Sequence, residues 1–373
     1  MPPYGFPPRK AAVLLFFAVA LTACAVASPG LIDPTPTLAS VIPTVESLPT
    51  FAPTAEPSPT PVPITIGFVG HVSSASSGSI VALSLEGAQI AAAAHSAQLD
   101  VVDIDTMNSA DPAVAIRMAA DRSPAIVVVA GNDLADATRD AARQYPAIKF
   151  VGVDQSAVDS LANYFAIGEP GNRPDEEAFL AGALAGFMTQ EHEVGIVVIG
   201  GAREGRMHEN GFRHGLRYAC GKCELWVVTL NDPNDIVAGA DTADRLRRAR
   251  VDVMFAAAGR AGESGLESAT ARGMWVIGWG SDLTVSAPIG SEHVLASVIR
   301  RPDISLPAII GALLAGETPP QTPFALANGN ISLAENFGPD VSPAVIKLMS
   351  DIMTQLSTGA LDTGIDLATG EEK

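Results

Sequence analysis

The chain has 373 residues, of which 47% are apolar, and its formal net charge is −18 at pH 7. This length is sufficient for two lobes of ordinary domain size plus a tail. So acidic a chain repels phosphate backbones, which argues against nucleic acid as a partner. It also argues against adhesion to an anionic bilayer through basic patches.

The N-terminus has the pattern of an export signal. A short basic segment precedes an unbroken apolar run at residues 11–21. This run is too short to span a bilayer, which needs roughly 20 residues, but it fits the apolar core of a signal peptide. It ends in Leu-Thr-Ala-Cys at residues 21–24, which resembles the bacterial lipobox. We therefore predict a signal peptide at residues 1–23 and a diacylglyceryl group on Cys24; the alternative is a plain secretory signal.

Residues 24–63 are rich in Pro, Thr, Ser and Ala and show no apolar period. Proline fixes φ and removes a backbone donor, which keeps such a segment extended. We predict a tether that holds the following domain away from the membrane. The chain is then a lipid-anchored protein on the extracytoplasmic face of the cell membrane.

From residue 64 short apolar runs alternate with amphipathic helical segments. This alternation is typical of βαβ units and of parallel sheets buried on both faces. The predicted strands in chain order are 64–69, 99–104, 125–130, 149–153, 194–199, 225–230, 251–257 and 275–278. The first helical stretch runs through Leu83, Glu86 and Ala93, and further helices begin near residues 111, 136, 176, 207, 236 and 265.

This pattern predicts an α/β fold with two doubly wound parallel-sheet lobes, joined by a hinge with a cleft between them. The segments 294–299, 306–315 and 345–356 are interpreted as crossings between the lobes. The N-terminal lobe is then 64–165 plus about 290–320, the C-terminal lobe is 166–289 plus about 321–358, and 359–373 is a tail.

Ligands of such sheets bind beyond the carboxyl ends of the strands. Asp154 ends one predicted strand and Gly259 follows another. A carboxylate in a water-poor cleft can accept strong hydrogen bonds, and glycine lets the backbone approach a ligand. Both are candidate ligand-binding residues; the alternatives are a turn or cap aspartate and simple turn chemistry.

Five segments, in this order, resemble the basic membrane protein family of bacterial lipoproteins. They are AARQYP leading to FVGVD (141–154), EEAFLAG (176–182), GIVVIGG followed by NGFRHG (195–215), DVMFAAAG (252–259) and SVIRR (297–301). The resemblance implies a type I periplasmic-binding-protein fold over about residues 64–356. It also implies a solute-binding component of an ABC transporter, with a permease as partner and a purine nucleoside as ligand.

The sequence departs from that family where the ligand is expected. The "SFND"-like turn reads HVSSASSG at 71–78, so only hydroxyls and His71 remain to bind a solute. In the segment GWGSD the family's first aspartate is replaced by glycine, which leaves Asp282. Trp279 is added bulk that can stack on a base or sugar, or can simply pack. Arg300 replaces a lysine, and its planar fork suits a carboxylate or phosphate.

The far lobe has one more departure. The family's "SFxD" reads Thr-Leu-Asn-Asp at 229–232, which loses an aromatic residue. The predicted ligand is therefore a small polar solute, with a nucleoside favoured over a sugar or a carboxylated metabolite.

Cys220 and Cys223 form a Cys-x-x-Cys pair in a chain predicted to be exported. Such a pair can form a small disulfide loop, or remain as idle thiols. A zinc or redox site would need a second pair or histidines close by in the sequence, and neither is present. We therefore predict no metal site and name the pair as a possible disulfide.

The remaining patterns argue against an enzyme. The sequence has no nucleophile elbow, no phosphate-binding glycine loop and no His-Glu-x-x-His motif, and its six histidines are scattered. We predict a monomeric binding protein without a cofactor. The alternative is a sensory or signalling lipoprotein of the same fold.

Overall fold

The computed structural model describes residues 63–107, 111–156, 158, 160–286 and 290–373. Cys24, the predicted signal peptide and the tether as far as residue 62 lie outside these residues. Within the described part of the chain, no helix is both long and apolar enough to cross a membrane.

The first lobe is built on a parallel sheet in the order β2-β1-β3-β4-β5. Its strands are β1 (Thr65–Gly70), β2 (Gln98–Asp103), β3 (Ile126–Ala130), β4 (Lys149–Val153) and β5 (Tyr164–Ile167). The helices between them are α1 (Ile80–Ala94), α2 (Pro112–Ala120) and α3 (Ala135–Gln144). β3 is buried at every position, as expected for a strand covered by helices on both faces.

The second lobe has a six-stranded sheet in the order β11-β10-β9-β8-β6-β7. Its strands are β6 (Glu193–Ile199), β7 (Glu224–Leu230), β8 (Val253–Ala257), β9 (Trp275–Trp279), β10 (Val294–Arg300) and β11 (Ile331–Leu333). Its helices are α4 (Pro174–Met188), α5 (Arg203–Ala219), α6 (Ile236–Arg248), α7 (Gly259–Thr270), the short α8 (Leu283–Ser286) and α10 (Pro343–Ser357). All described pairings are parallel except that of β10 with β11. The predicted fold class of two parallel-sheet lobes is confirmed.

The chain passes between the lobes after β5, after β10 and again before β11. The helix α9 (Pro302–Leu314) packs on α1 of the first lobe, where Gly87 lets the backbone of Asp303 come close. The predicted boundary near residue 290 differs from this arrangement. β10 pairs with β9 from Val294 to Val298, and all seven of its residues are buried in the second lobe, so the crossing follows Arg300.

A tight contact joins α4 to α5. A Cβ atom on Gly182 would collide with the carbonyl oxygen of Phe212, and one on Gly215 would collide with that of Phe179. Both glycines lie in the segments EEAFLAG and NGFRHG, so close helix packing is a physical reason for these motifs. The contact matters for function because α4 and α5 both carry side chains to the cleft.

The C-terminal segment, predicted as a tail, returns along α5. Arg203, Arg206 and Asn210 donate hydrogen bonds to backbone carbonyls of residues 367, 369 and 370, at 2.7, 3.0 and 2.8 Å. Glu372 lies near the basic side chains at the end of the same helix. The segment therefore belongs to the packed second lobe.

Candidate functional site

A cleft of about 440 Å³ lies between the lobes at the carboxyl ends of the strands. Asn132, Asp154 and Ser156 line it from the first lobe. The second lobe lines it with charged and aromatic side chains, namely Glu204, His208, Trp279 and Arg300. The volume is in the range of small-molecule sites, and groups from both lobes face one space.

Arg300 is the centre of a buried ionic network at the floor of this cleft. It lies at the end of β10 and is only 8% exposed. Its Nε donates to Glu177 Oε1 at 2.7 Å, and its Nη1 donates to Asp154 Oδ1 at 2.6 Å. Its Nη2 lies 3.3 Å from Glu177 Oε2 and 3.5 Å from Glu204 Oε1. Each guanidinium nitrogen is therefore already paired with a carboxylate.

Three consecutive acidic residues in the first turn of α4 support the network. Helix N-termini stabilise negative charge, which suits this position. Asp175 accepts from Arg173 at 2.7 Å and from Thr363 at 2.5 Å. Glu176 accepts from the backbone of residue 326, near the last crossing, at 2.7 Å. Glu177 binds Arg300, so this one turn connects the cleft to the crossing segments and to the C-terminal segment.

The pKa values of the two carboxyls beside Arg300 move in opposite directions. Burial raises the pKa of Asp154 to about 6, against the attraction of Arg300. Burial also acts to raise the pKa of Glu177, but the charge of Arg300 and hydrogen bonds from His208 and Arg300 lower it to about 2. Glu177 is thus the permanent counter-ion, and Asp154 is the member that gains a proton first.

Trp279 and His208 complete the second-lobe wall. The Trp279 indole donates its Nε1–H to Glu177 Oε2 at 2.9 Å. Its ring lies 5.3 Å from the Arg300 guanidinium and meets the His208 ring edge-on at 5.5 Å. Trp279, proposed from the sequence to stack or to pack, therefore packs within the network and also faces the cleft.

Asp154 and Gly259 line the cleft with positive φ angles. Asp154 directly follows β4 at φ +60°, and its backbone amide donates to the carbonyl of Ile167 at 2.8 Å. Gly259 begins α7 at φ +59°, and a Cβ there would lie 3.0 Å from Pro233. The backbone conformation and the close approach both favour glycine at this position.

Two sequence candidates lie elsewhere. His71 contacts Asp105 Oδ1 at 2.6 Å and Asp133 Oδ2 at 3.6 Å, on a neighbouring rim of the first lobe. Asp282 accepts from Thr284 and from Asn336, whose Nδ2 lies 2.9 Å away. Among the residues that the structure describes, the cleft lining includes neither of them. Asp282 instead fixes the turn after β9.

Among the site residues that were not predicted from the sequence are Glu177, His208 and Glu204. Glu177 is part of a motif that indicated only the family, and His208 was counted among scattered histidines. Glu204 lies in the first turn of α5 and has no distinguishing sequence neighbours. A run of three acids at the start of an otherwise apolar helix was the available signal for Glu177, because such acids need partners when they are buried.

Cys220 and Cys223 are joined by a disulfide in the structure. They lie at the end of α5 and just before β7, far along the chain from any cleft residue of the first lobe.

A family model described as ABC transporter substrate-binding protein PnrA-like matches residues 69–320. A CD4+ T-cell-stimulating antigen of Listeria innocua is 29% identical over 223 residues, which cover 55% of this chain and 61% of the relative. Basic membrane protein D of Borreliella burgdorferi is 32% identical over 136 residues, covering 35% and 38%. The matched segment thus spans about three-fifths of the length of the Listeria protein and less than two-fifths of the length of the Borreliella protein.

One solved structure shows the same fold. It is a solute-binding protein of an ABC transporter system from Conexibacter woesei, with 20% sequence identity and a TM-score of 0.62. The alignment covers 80% of this chain and 98% of that one.

Proposed function

The chain belongs to the family of PnrA-like ABC transporter substrate-binding proteins, and on this premise we propose that it is the solute-binding lipoprotein of an ABC importer. The observation that carries the proposal is the cleft, which both lobes line with polar side chains. A permease is the expected partner of the loaded protein, which acts as a monomer. The family is one of binding proteins and not of enzymes.

The charge of the cleft favours a neutral solute. Arg300 is the one arginine or lysine among the described residues that line the cleft, and around it stand the carboxylates of Asp154, Glu177 and Glu204. An anionic solute would have to displace one of these pairs and then face the others at short range. A carboxylated or phosphorylated metabolite held by Arg300 is therefore disfavoured, in contrast to what the arginine alone suggests.

Hydroxyl and N–H donors match such a site. Asp154 can accept hydrogen bonds from sugar hydroxyls, and Trp279 and His208 offer aromatic surface beside it. A nucleoside combines both features and carries no charge, and it is the ligand that we propose. Because the two walls belong to different lobes, closure of the lobes on the solute would select the loaded form.

A thermal-shift panel of nucleosides, free bases, sugars and organic acids tests this function. A ligand at 100 times its Kd adds about 2.7 kcal/mol to the free energy of unfolding. We expect purine nucleosides to raise Tm and organic acids to leave it unchanged. The Asp154→Asn variant should show a clearly smaller shift at the same ligand concentration, whereas Asp282→Asn, the same change outside the cleft, should keep the full shift.

No shift with any member of the panel would contradict transport of these solutes and would favour a sensory lipoprotein. A shift with sugars alone would replace the nucleoside by a sugar without changing the site.

We also propose that Cys24 carries the lipid that holds the protein at the extracytoplasmic face of the membrane. Metabolic labelling with a palmitate analogue should mark the wild-type chain and not the Cys24→Ser variant. Equal labelling of both chains would contradict the anchor.

A further inference from the structure

A second cluster of chemically reactive side chains lies at the end of the second sheet that faces away from the cleft. His192 directly precedes β6, and Cys223 directly precedes β7, with Cys220 at the end of α5. One ligand atom from each of the three lies within 4.8 Å of the others. The contact between Cys223 Sγ and His192 Nδ1 measures 3.9 Å.

The backbone holds His192 in place beside the cysteines. Its carbonyl accepts from the amide of Glu224 at 2.8 Å, next to the pairing of β6 with β7. Its amide donates to Thr189 Oγ1 at 3.0 Å, and its φ is +63°. Asp252 in turn accepts from the Thr189 hydroxyl at 2.6 Å. The imidazole is thus presented by an ordered turn and not by a loose loop.

Thiolate sulfur and imidazole nitrogen are the ligands that zinc prefers. In a tetrahedral site with Zn–S bonds of about 2.3 Å and Zn–N bonds of about 2.0 Å, a sulfur and a nitrogen lie roughly 3.5 Å apart. The 3.9 Å between Cys223 Sγ and His192 Nδ1 is close to that separation, whereas the two sulfurs are bonded to each other and must move apart on reduction before both can bind the ion. Two cysteines and one histidine leave the fourth position open for water. All three residues are partly exposed, so an ion and a reductant can both reach them.

We propose that His192, Cys220 and Cys223 form a redox-gated site for a thiophilic divalent cation such as Zn²⁺. In the oxidised chain the sulfurs are bonded to each other and are poor ligands. A dithiol reductant transfers two electrons and two protons to the disulfide, which yields two thiols, and is itself oxidised to a disulfide. Zinc then binds both sulfurs and the imidazole nitrogen as the two thiols release their protons.

The metal and the disulfide are then alternative cross-links at one place. Either one ties the end of α5 to the turn before β7, and the metal adds the turn before β6. This site lies at the opposite end of the strands from the cleft. A variant that abolishes metal binding here can therefore leave solute binding in the cleft intact, and the reverse also holds.

The test is zinc binding by the full chain carrying Cys24→Ser, which removes the only other cysteine. Zinc is titrated against a chromogenic chelator, with the chain either reduced and freed of reductant or left oxidised. We expect one zinc per reduced chain and none per oxidised chain. Replacing zinc by Cd²⁺ should give a thiolate charge-transfer band in the reduced chain alone.

Two variants test whether His192 is a zinc ligand in addition to the two cysteines. His192→Asn keeps a residue type that tolerates positive φ but removes the imidazole, and it should weaken zinc binding roughly tenfold or more. His95→Asn, the same change in the other lobe, should leave zinc affinity unchanged. Circular dichroism checks that each variant is folded.

Two results would overturn the proposal. One is a reduced chain that binds no more zinc than the oxidised chain, and the other is a His192→Asn variant that binds zinc as tightly as its parent.

Discussion

The two walls of the cleft differ in how they are held. The second-lobe wall is a connected network in which Glu177 receives hydrogen bonds from both Arg300 and Trp279. Among the described residues of the first-lobe wall, Asp154 joins that network, through its ion pair with Arg300 at 2.6 Å. Gln155, another residue of this wall, is bonded within its own lobe to the carbonyl of Gly131 and to Tyr164.

The difference assigns separate tasks to the walls. A wall whose side chains bind one another is preorganised, and it contributes to the stability of the fold as well as to binding. A wall attached through one pair can move away as the lobes open and can exchange that pair for contacts with a solute. Variants of the second wall should therefore destabilise the fold, and variants of the first wall should mainly weaken binding.

The largest expected effect is that of Glu177→Ala. The change leaves the Arg300 guanidinium buried beside a cavity with only part of its counter-charge. Removing one partner of a buried pair costs about 3–5 kcal/mol, and urea unfolding should show a loss of this order. Glu204→Ala is the matched control, because the Glu204 side chain is 49% exposed, and the loss there should stay within about 0.5 kcal/mol. Equal losses of unfolding free energy in the two variants would contradict the distinction between the buried network and its exposed edge.

A smaller and different effect is expected for Asp154→Asn. Hydrogen bonds to a charged group contribute about 1.5–3 kcal/mol, so solute affinity should fall by roughly tenfold or more. The free energy of unfolding should fall by no more than about 1 kcal/mol. Arg300 keeps Glu177, and the burial that raises the pKa of Asp154 already offsets much of its pairing. Calorimetric titration gives the solute affinity and urea unfolding gives the free energy of unfolding, both measured on one preparation. A large loss of stability with intact binding would contradict the claim that the first-lobe wall mainly serves binding.

The pH dependence of stability sharpens the comparison further. The folded-state pKa of Asp154, about 6, lies above its ordinary 3.8, so this group's contribution to stability falls as pH rises from about 3.8 to 6. For Glu177, whose pKa is lowered to about 2, the contribution is complete above 4.5 and is lost as pH falls towards 2.

The Asp154→Asn variant loses the pH dependence of stability that comes from Asp154 and keeps the one that comes from Glu177. Relative to wild type, this variant should therefore gain stability between pH 4.5 and pH 7.5, as measured by urea midpoints at both values. A difference between the two chains that is the same at both pH values would contradict the raised pKa.

Much of the fold follows from local pattern, and most of the site does not. Long apolar runs such as 125–130 predict their strands because burial on both faces leaves no polar alternation. The four-residue β5 and three-residue β11 are too short to give such a pattern. The run at 294–299 was interpreted as a crossing, because apolar character alone does not distinguish a central strand from a buried connection.

The site depends on pairs that are distant in sequence. Arg300 and Glu177 are 123 residues apart, and nothing in either local segment indicates the other. Arg300 was therefore proposed to hold an anion, although in the structure its nitrogens are already paired. The same limit applies to His192, which lies beside Cys220 only because β6 and β7 are neighbours in the sheet.

The most direct test of the central claim is to titrate the protein calorimetrically with a purine nucleoside and with its 5′-monophosphate. A neutral solute in an acidic cleft predicts measurable binding of the nucleoside and binding of the monophosphate that is roughly tenfold weaker or absent. Tighter binding of the monophosphate would show that Arg300 is free to hold an anion, and would contradict the account of the cleft given by its ion pairs.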